Sequence, residues 1–279
     1  MKRILTIQDI SCIGKCSLTA ALPILSAAGL ETAIVPTAVL SAHTQFSGVT
    51  FRDLTDDLPG ILDHWKKEGF TFSAIYTGYL GSIRQIGLVR DYFAAFGGEG
   101  VCKIVDPAMA DSGKLYTGFD DAFVKEMRSL CAEADVILPN ISEAAMMLGV
   151  PYPGEDASEA QLKELLDGLT GLGTRISVIT GASLDDGSFG FLGYDADRKE
   201  YLRYGTARVP LRSHGTGDIF ASTFTGALVN GFAPGDALKI ASDYTGACIR
   251  NTYEDPEHVS YGVNFEAEIP YLLKLLGKI

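Results

Sequence analysis

The stretch "RILTIQDISCIGKCSLTAALPILSAAGLETAIVPTAVL", residues 3–40, contains the pattern that decides the fold. Residues 3–9 are rich in β-forming side chains and predict a strand, and the uncharged residues 17–28, closed by Gly29, predict a helix. Residues 31–40 predict a second, buried strand. Strands that alternate with helices in this way are typical of a mainly parallel sheet.

The same alternation continues along the chain. Further strands are predicted at 72–78, 101–107, 135–140 and 175–181, and further helices at 58–68, 83–96, 119–134, 142–148 and 158–172. Residues 188–195 and 199–207, separated by "ADR", predict an antiparallel hairpin, and three helices are predicted to begin at Gly217, Pro234 and Phe265. The pattern predicts an α/β fold with a mainly parallel central sheet, helices on both faces and a small hairpin. Because no linker or repeat interrupts it, we expect a single domain spanning residues 1–279.

Composition and charge exclude several classes of partner. The 279 residues are 47% hydrophobic and 21% charged, with a net charge of −12, which argues against nucleic acid or a membrane surface as partner. Any phosphate must then be held by glycine loops, helix N-termini or a divalent metal. The five cysteines lack metal-finger spacing and favour free thiols in a reducing compartment. With no apolar run typical of a signal peptide or a membrane span, we expect a cytoplasmic protein.

Several polar residues fall at or just past the ends of predicted strands, where ligands bind in open α/β sheets. These residues are Asp9, Gly78, Asp106, Asn140 and Thr180.

The segment "HGTGDIFAS" (214–222) places Gly215, Thr216 and Gly217 before Asp218, where a helix is predicted to begin. Glycines let a ligand approach the backbone closely, and the N–H groups of a helix start attract an anion. A carboxylate there suits phosphoryl transfer if it accepts a proton from an incoming hydroxyl. The alternative, equally open on spacing alone, is an ordinary helix cap.

Two other segments carry oxygen ligands. In "DPAMADSGKLY" (106–116), Asp106 and Asp111 suit Mg²⁺, although a polar turn explains them as well. In "PNISEA" (139–144), Asn140 and Glu143 could share the water shell of a metal, or form a capping box.

The remaining signals are weaker. Tyr79 in "TGYLGS" (77–82) could form a wall against a planar substrate or simply fill a loop, and His43 could reach a ligand. The other three histidines are interpreted as solvated or structural. The absence of a Walker lysine motif, a G-x-G-x-x-G fingerprint and a G-x-S-x-G elbow disfavours P-loop, dehydrogenase and hydrolase functions.

Taken in order, these elements resemble the pyridoxal kinase family of the ribokinase-like superfamily, in its bacterial branch. The motifs that carry the resemblance are "LTIQD" with "IGKCS", "SAHTQF", "TGYLGS", "DPAMADSGKLY", "PNISEA", "VITGAS" and "HGTGDIFAS", which together span residues 5–222. The resemblance implies a central sheet flanked by helices, ATP as donor, Mg²⁺, often a monovalent cation (K⁺ or Na⁺), and a homodimer.

The resemblance also implies residue roles. Asp218 would be the base for the substrate's 5′-hydroxymethyl group, and Gly215, Thr216 and Gly217 would form the anion hole. The residues expected on the ATP side are Asp106, Tyr116, Asn140, Thr180 and Thr216. Those expected near the substrate are Asp9, Thr44, Tyr79 and Asp218, and Asp106 and Glu143 are the expected metal ligands.

The function implied is ATP-dependent phosphorylation of pyridoxal, pyridoxine or pyridoxamine in vitamin B6 salvage. The alternatives are a hydroxymethylpyrimidine kinase of thiamine synthesis and an inactive protein that binds a vitamer or a nucleotide. Two departures from the family concern substrate preference: Asp9 replaces the serine that contacts the pyridine ring, and Ala110 replaces a glycine. Asp9 would favour a protonated ring nitrogen or an amine-bearing substrate.

Overall fold

The computed structural model describes residues 2–279 of the chain. The strands, in chain order, are β1 (Arg3–Ser11), β2 (Glu31–Leu40), β3 (Phe51–Asp53), β4 (Ala74–Thr77), β5 (Cys102–Val105), β6 (Ala110–Asp111), β7 (Lys114–Leu115), β8 (Val136–Ile137), β9 (Ile176–Ser183), β10 (Phe189–Asp195) and β11 (Glu200–Thr206). The helices are α1 (Ser17–Ala27), α2 (Leu58–Glu68), α3 (Ile83–Phe96), α4 (Asp121–Cys131), α5 (Ile141–Leu148), α6 (Glu159–Thr170), α7 (Thr216–Asn230), α8 (Pro234–Glu254) and α9 (Ile269–Leu275), with a 3₁₀ turn at Phe265–Glu268.

The chain divides into two compact units. One consists of the residues up to Ala74 together with Val209–Ile279, and the other of Ile75–Arg208. The single domain spanning 1–279 therefore stays a prediction.

In the first unit β2 lies between β1 and β3. β1 runs parallel to β2, with a register shift between Gln8 and Ile10, and β3 runs antiparallel to β2. Apolar residues of β1 are fully buried, and α1 packs against both β1 and β2. α7 in turn packs against α1 and α8. The helix α1, which connects β1 to β2, therefore lies between these two strands and α7.

In the second unit the strand order is β4-β5-β8-β9-β10-β11. β5, β8 and β9 are parallel, whereas β10 is antiparallel to both β9 and β11. β6 and β7 form a separate two-stranded ribbon. The predicted α/β class with a mainly parallel sheet, helices and a small antiparallel hairpin is confirmed.

Several predicted strand ends were wrong, and two of them change where candidate residues lie. β1 continues two residues beyond Asp9, because Ser11 still pairs with Leu40 after the register shift. β9 continues to Ser183, which pairs with Phe189 of the hairpin. Asp9 and Thr180 therefore lie inside strands rather than at their ends. Across residues 2–279, none of the helices combines the length and apolar character that crossing a membrane requires.

Candidate functional site

The candidate residues fall into two groups, one in each unit. In the first unit α7 begins directly after Gly215, whose φ of 76° lies in the left-handed region. A side chain at this position would also collide with the carbonyl oxygen of Lys15. Glycine alone satisfies both constraints. Because Gly215 has no side chain with which to cap the helix, it leaves the backbone N–H groups at the start of α7 to other acceptors.

Asp218 lies in the first turn of α7 and is half-buried. Burial raises the pKa of its carboxyl to about 7, and the nearby charge of Asp9 adds to the rise. Hydrogen bonds from the backbone N–H groups of Ser17 and of Asp218 itself act in the opposite direction. A carboxyl that changes protonation near neutral pH is well matched to general-base catalysis.

Asp9 is only 4% exposed. Its carboxyl accepts a hydrogen bond from the Ser11 hydroxyl at 3.3 Å. Burial raises its pKa, while Ser17 and Ser11 lower it. Burial also raises the pKa of the neighbouring Cys16 thiol to about 12, with further contributions from the charges of Asp218 and Asp9. The structure thus brings together two carboxyls that are far apart in the sequence.

Thr44 is exposed, in the loop between β2 and β3. The adjacent His43 ring packs against the ring of His214, with centroids 4.5 Å apart. Nδ1 of His43 accepts a hydrogen bond from the N–H of Gln45 at 3.2 Å, and burial together with His214 lowers the pKa of His43. Residue 214 immediately precedes Gly215, so this histidine pair joins the Thr44 loop to the start of α7. Sequence reasoning did not predict the pair.

In the second unit, Asn140 and Glu143 form the capping box at the start of α5. Oδ1 of Asn140 accepts from the N–H of Glu143 at 3.0 Å, and Oε2 of Glu143 accepts from the N–H of Asn140 at 2.8 Å. Asn140 Nδ2 donates to the carbonyl of Ala110, while Oε1 of Glu143 accepts from the N–H groups of Met109 and Ala110. This pair therefore anchors the segment that follows Asp106.

The capping-box alternative that the sequence left open is present in the structure. Glu143 is 2% exposed, and burial raises its pKa to about 8, against the lowering effect of its backbone hydrogen bonds. Asp106 follows β5 directly and is nearly buried, and its N–H donates to the carbonyl of Thr77. Burial raises the pKa of the Cys131 thiol, and the charges of Glu143 and Asp106 raise it further. The charges of both carboxyls therefore act on the same thiol.

Thr180 lies beside Asn140, with which it forms an isolated parallel bridge. Its N–H donates to the carbonyl of Pro139 at 2.9 Å. Two of the five residues expected on the ATP side are thus adjacent.

Tyr79 and Tyr116 both pack on Phe119. The ring of Tyr79 stacks at 5.7 Å between centroids, and that of Tyr116 lies at 6.5 Å, tilted by 38°. Phe119 in turn stacks on Phe123 at 3.8 Å. The structure brings the two tyrosines together through a phenylalanine that the sequence analysis did not single out.

A divalent cation would need oxygen or nitrogen donors in this part of the molecule. Among residues 2–279 no group of three His, Cys, Asp or Glu side chains could hold a metal ion. Asp106 and Glu143 are nevertheless carboxylate oxygen donors within the same unit. They fit a magnesium ion that takes most of its ligands from phosphate oxygens and water, as is usual for Mg²⁺.

Known proteins resemble this chain in sequence and in fold. Residues 18–262 match the family model described as phosphomethylpyrimidine kinase. A protein of Bacteroides thetaiotaomicron VPI-5482, provisionally named a phosphomethylpyrimidine kinase, is 39% identical, with a TM-score of 0.93 over 97% of this chain and 93% of that one. The same provisional name and source are given for a second crystal form, which contains pyridoxal.

Pyridoxal kinase of Lactobacillus plantarum is 31% identical, with a TM-score of 0.90 over 99% of this chain and 98% of that one. The pyridoxine/pyridoxal/pyridoxamine kinase of Bordetella avium (strain 197N) is 27% identical over 249 residues, which cover 86% of this chain and 82% of that protein.

Proposed function

We propose that this chain transfers the γ-phosphoryl group of ATP to the 5′-hydroxymethyl group of pyridoxal, pyridoxine or pyridoxamine. The chain belongs to the phosphomethylpyrimidine kinase family and is a phosphotransferase. The observation that carries the proposal is the placement of Asp218. Its half-buried carboxyl has a pKa near 7 and lies one turn into a helix whose first residues follow a left-handed glycine.

The chemistry follows from that placement. Asp218 takes the proton of the substrate hydroxyl while the hydroxyl oxygen forms a bond to the γ-phosphorus of ATP. The bond from that phosphorus to the β–γ bridging oxygen breaks, which releases ADP. The N–H groups of Gly215, Thr216 and Gly217 would stabilise the transferring phosphoryl group. Because these groups are held by the start of a 15-residue helix, they need little reorganisation during the reaction.

The other roles are assigned by resemblance. Asp106, Tyr116, Asn140, Thr180 and Thr216 are assigned to ATP, and Asp9, Thr44 and Tyr79 to the substrate ring. Asp106 and Glu143 would hold Mg²⁺, which when bound shields the phosphate charges. A monovalent cation, a homodimeric assembly and a cytoplasmic location complete the proposal.

Phosphorylation of hydroxymethylpyrimidine is the second candidate, because the matching family model bears a pyrimidine kinase description. An ADP-release assay with four alcohols, namely the three B6 vitamers and hydroxymethylpyrimidine, separates the two. We expect ATP-dependent turnover of at least one vitamer, with kcat/KM above that for the pyrimidine. The reverse order would assign the chain to pyrimidine phosphorylation. Binding of ATP and pyridoxal without any turnover would identify an inactive binding protein.

A further inference from the structure

Lys15 packs against two glycines that come from separate segments of the first unit. Its main chain lies directly against Gly215, where any side chain would collide with the Lys15 carbonyl oxygen. Its side chain lies against Gly262, where any side chain would collide with Cβ of Lys15. Both glycines permit this close approach because they lack a Cβ atom. Lys15 therefore joins the start of α7 to residues 255–268, which we call the post-α8 segment.

The Lys15 ammonium has its partners in the post-α8 segment. Nζ donates to Oδ1 of Asn264 at 3.3 Å and to Oε2 of Glu266 at 2.8 Å, and it lies 5.9 Å from the centre of the Phe265 ring. The Lys15 side chain is 18% exposed. Because charge-assisted hydrogen bonds are stronger than neutral ones, these contacts fix the direction of the whole side chain.

Asn264 is itself held in place. Its N–H donates to Oγ1 of Thr252 at 2.7 Å, and its Nδ2 donates to Oδ2 of Asp255 at 2.9 Å. The Thr252 hydroxyl in turn donates to the carbonyl of Cys248, one turn earlier in α8, at 2.7 Å. Since Nδ2 of Asn264 is used by Asp255, Oδ1 is the atom that faces Lys15. This acceptor of the lysine is therefore anchored to the end of α8.

The main chain on both sides of Lys15 is fixed by a different contact. The Thr19 hydroxyl donates to the carbonyls of Gly14 and Cys16, each at 2.7 Å. This contact ties the segment to α1, whereas the lysine side chain ties it to the post-α8 segment. The carbonyl that meets Gly215 lies between these two anchors.

We propose that Lys15 is a positioning residue of the phosphotransferase reaction. Its ammonium, held in the post-α8 segment, keeps the Lys15 carbonyl against Gly215 and so fixes the N–H groups at the start of α7. The inference rests on the proposed function, which assigns these N–H groups to the transferring phosphoryl group. Donors of this kind act through their exact placement, so a small displacement lowers the rate of the chemical step.

Two variants test the anchor. Lys15→Met removes the ammonium and keeps an unbranched side chain, and Glu266→Gln is a milder change that removes only the charge of the acceptor. Lys239→Met is the matched control, because Lys239 pairs with Asp243 at 2.6 Å within α8 of the same unit, outside the proposed site.

The placement of Gly215 can be followed without substrate. The N–H of Ile219 donates to the Gly215 carbonyl at 3.0 Å, so the hydrogen exchange of this amide reports how often the first turn of α7 opens. Its exchange is compared with that of amides in the middle of α7, which removes any effect of global stability. The second measurement is kcat, with KM for ATP and for the alcohol.

We expect Lys15→Met to speed the exchange of Ile219 about tenfold and to lower kcat about tenfold with little change in either KM. Glu266→Gln should act in the same direction, and the double variant should lose no more than Lys15→Met alone. Lys239→Met should change neither measurement. Wild-type exchange at Ile219 in both variants, or an equal loss in Lys239→Met, would overturn the inference. A raised KM for ATP with an unchanged kcat would also overturn it, because Lys15 would then be a nucleotide ligand.

The exchange measurement separates this inference from the proposed function. Faster exchange of Ile219 in a protein that phosphorylates none of the four alcohols would support the anchor and overturn the proposed substrates. An active protein in which neither variant alters the exchange would overturn the role of Lys15 alone.

Discussion

Replacing Asp218 by asparagine should abolish turnover while leaving the substrate sites in place. The side chain keeps its size, and its amide oxygen can still accept hydrogen bonds, but it cannot take a proton. General-base assistance is worth about 10²- to 10⁴-fold in rate. We therefore expect kcat to fall by that factor with little change in the affinity for ATP or for the vitamer.

The same substitution should stabilise the folded protein at alkaline pH. The pKa of Asp218 rises from 3.8 to about 7, so its contribution to stability is complete below 3.8 and is lost as pH rises towards 7. A shift of this size corresponds to at most about 4 kcal/mol. Because the carboxyl keeps some contact with water, about half of that is expected, a gain of about 2 kcal/mol for the asparagine variant at pH 8.

Two measurements check this reasoning. Urea unfolding at pH 8 and pH 5 should show the gain in the free energy of unfolding at pH 8 and a smaller gain at pH 5. ADP release between pH 5 and pH 9 should show a wild-type acid limb near pH 7. A variant that keeps more than half of the wild-type kcat would refute the assignment of the base, and a wild-type kcat that is flat down to pH 5 would refute its pKa.

Five further perturbations address other parts of the molecule. Excess EDTA should abolish activity, and Asp106→Ala should shift the Mg²⁺ titration to higher concentration; full activity in EDTA or an unchanged titration would contradict these assignments. Gly215→Ala should lower both activity and Tm, because the methyl group meets the Lys15 carbonyl in a left-handed backbone; wild-type values for both would show that the loop adapts. Asn140→Ala should cost about 1–2 kcal/mol of unfolding free energy by removing a capping box, whereas a loss below about 0.3 kcal/mol would mean that the cap is dispensable. Asp9→Ser should shift kcat/KM about tenfold away from pyridoxamine and towards pyridoxal, and equal changes for all vitamers would leave Asp9 without a role in substrate choice.

Most of the fold could be predicted because its elements are long and periodic. β2, α2 and α3 begin and end at the predicted residues. Each has a clear signal, such as Gly69 after α2 in the left-handed conformation, or Ser82 capping α3 through the N–H of Gln85. The hairpin of β10 and β11 was predicted from two β-rich runs around a short turn.

The short strands could not be predicted in this way. β3 has three residues, and β6 and β7 have two each, so they are too short to show a period of two. The β6–β7 ribbon depends on tertiary contacts: the carbonyl of Ala110 accepts from Asn140, and the N–H of Gly113 donates to Ser142. A side chain thirty residues away is not visible in a local pattern.

The candidate site was only partly predictable for the same reason. The segment 215–218 stands out because two glycines precede a carboxylate at a helix start. The approach of Asp9 to Asp218 and the packing of His43 on His214 arise from folding alone.

Asp218 and Glu143 both have pKa values raised towards neutrality, yet only one of them can serve as the base. The oxygens of Glu143 accept hydrogen bonds from the backbone of Met109, Ala110 and Asn140, and the side chain is 2% exposed. A base must meet the hydroxyl whose proton it takes, and a carboxyl enclosed in this way cannot reach a substrate hydroxyl, although a carboxylate that accepts backbone hydrogen bonds still has a lone pair for a metal ion. Asp218 has a similarly raised pKa but keeps part of its surface accessible at the start of α7. Accessibility, more than the pKa, therefore assigns proton transfer to Asp218.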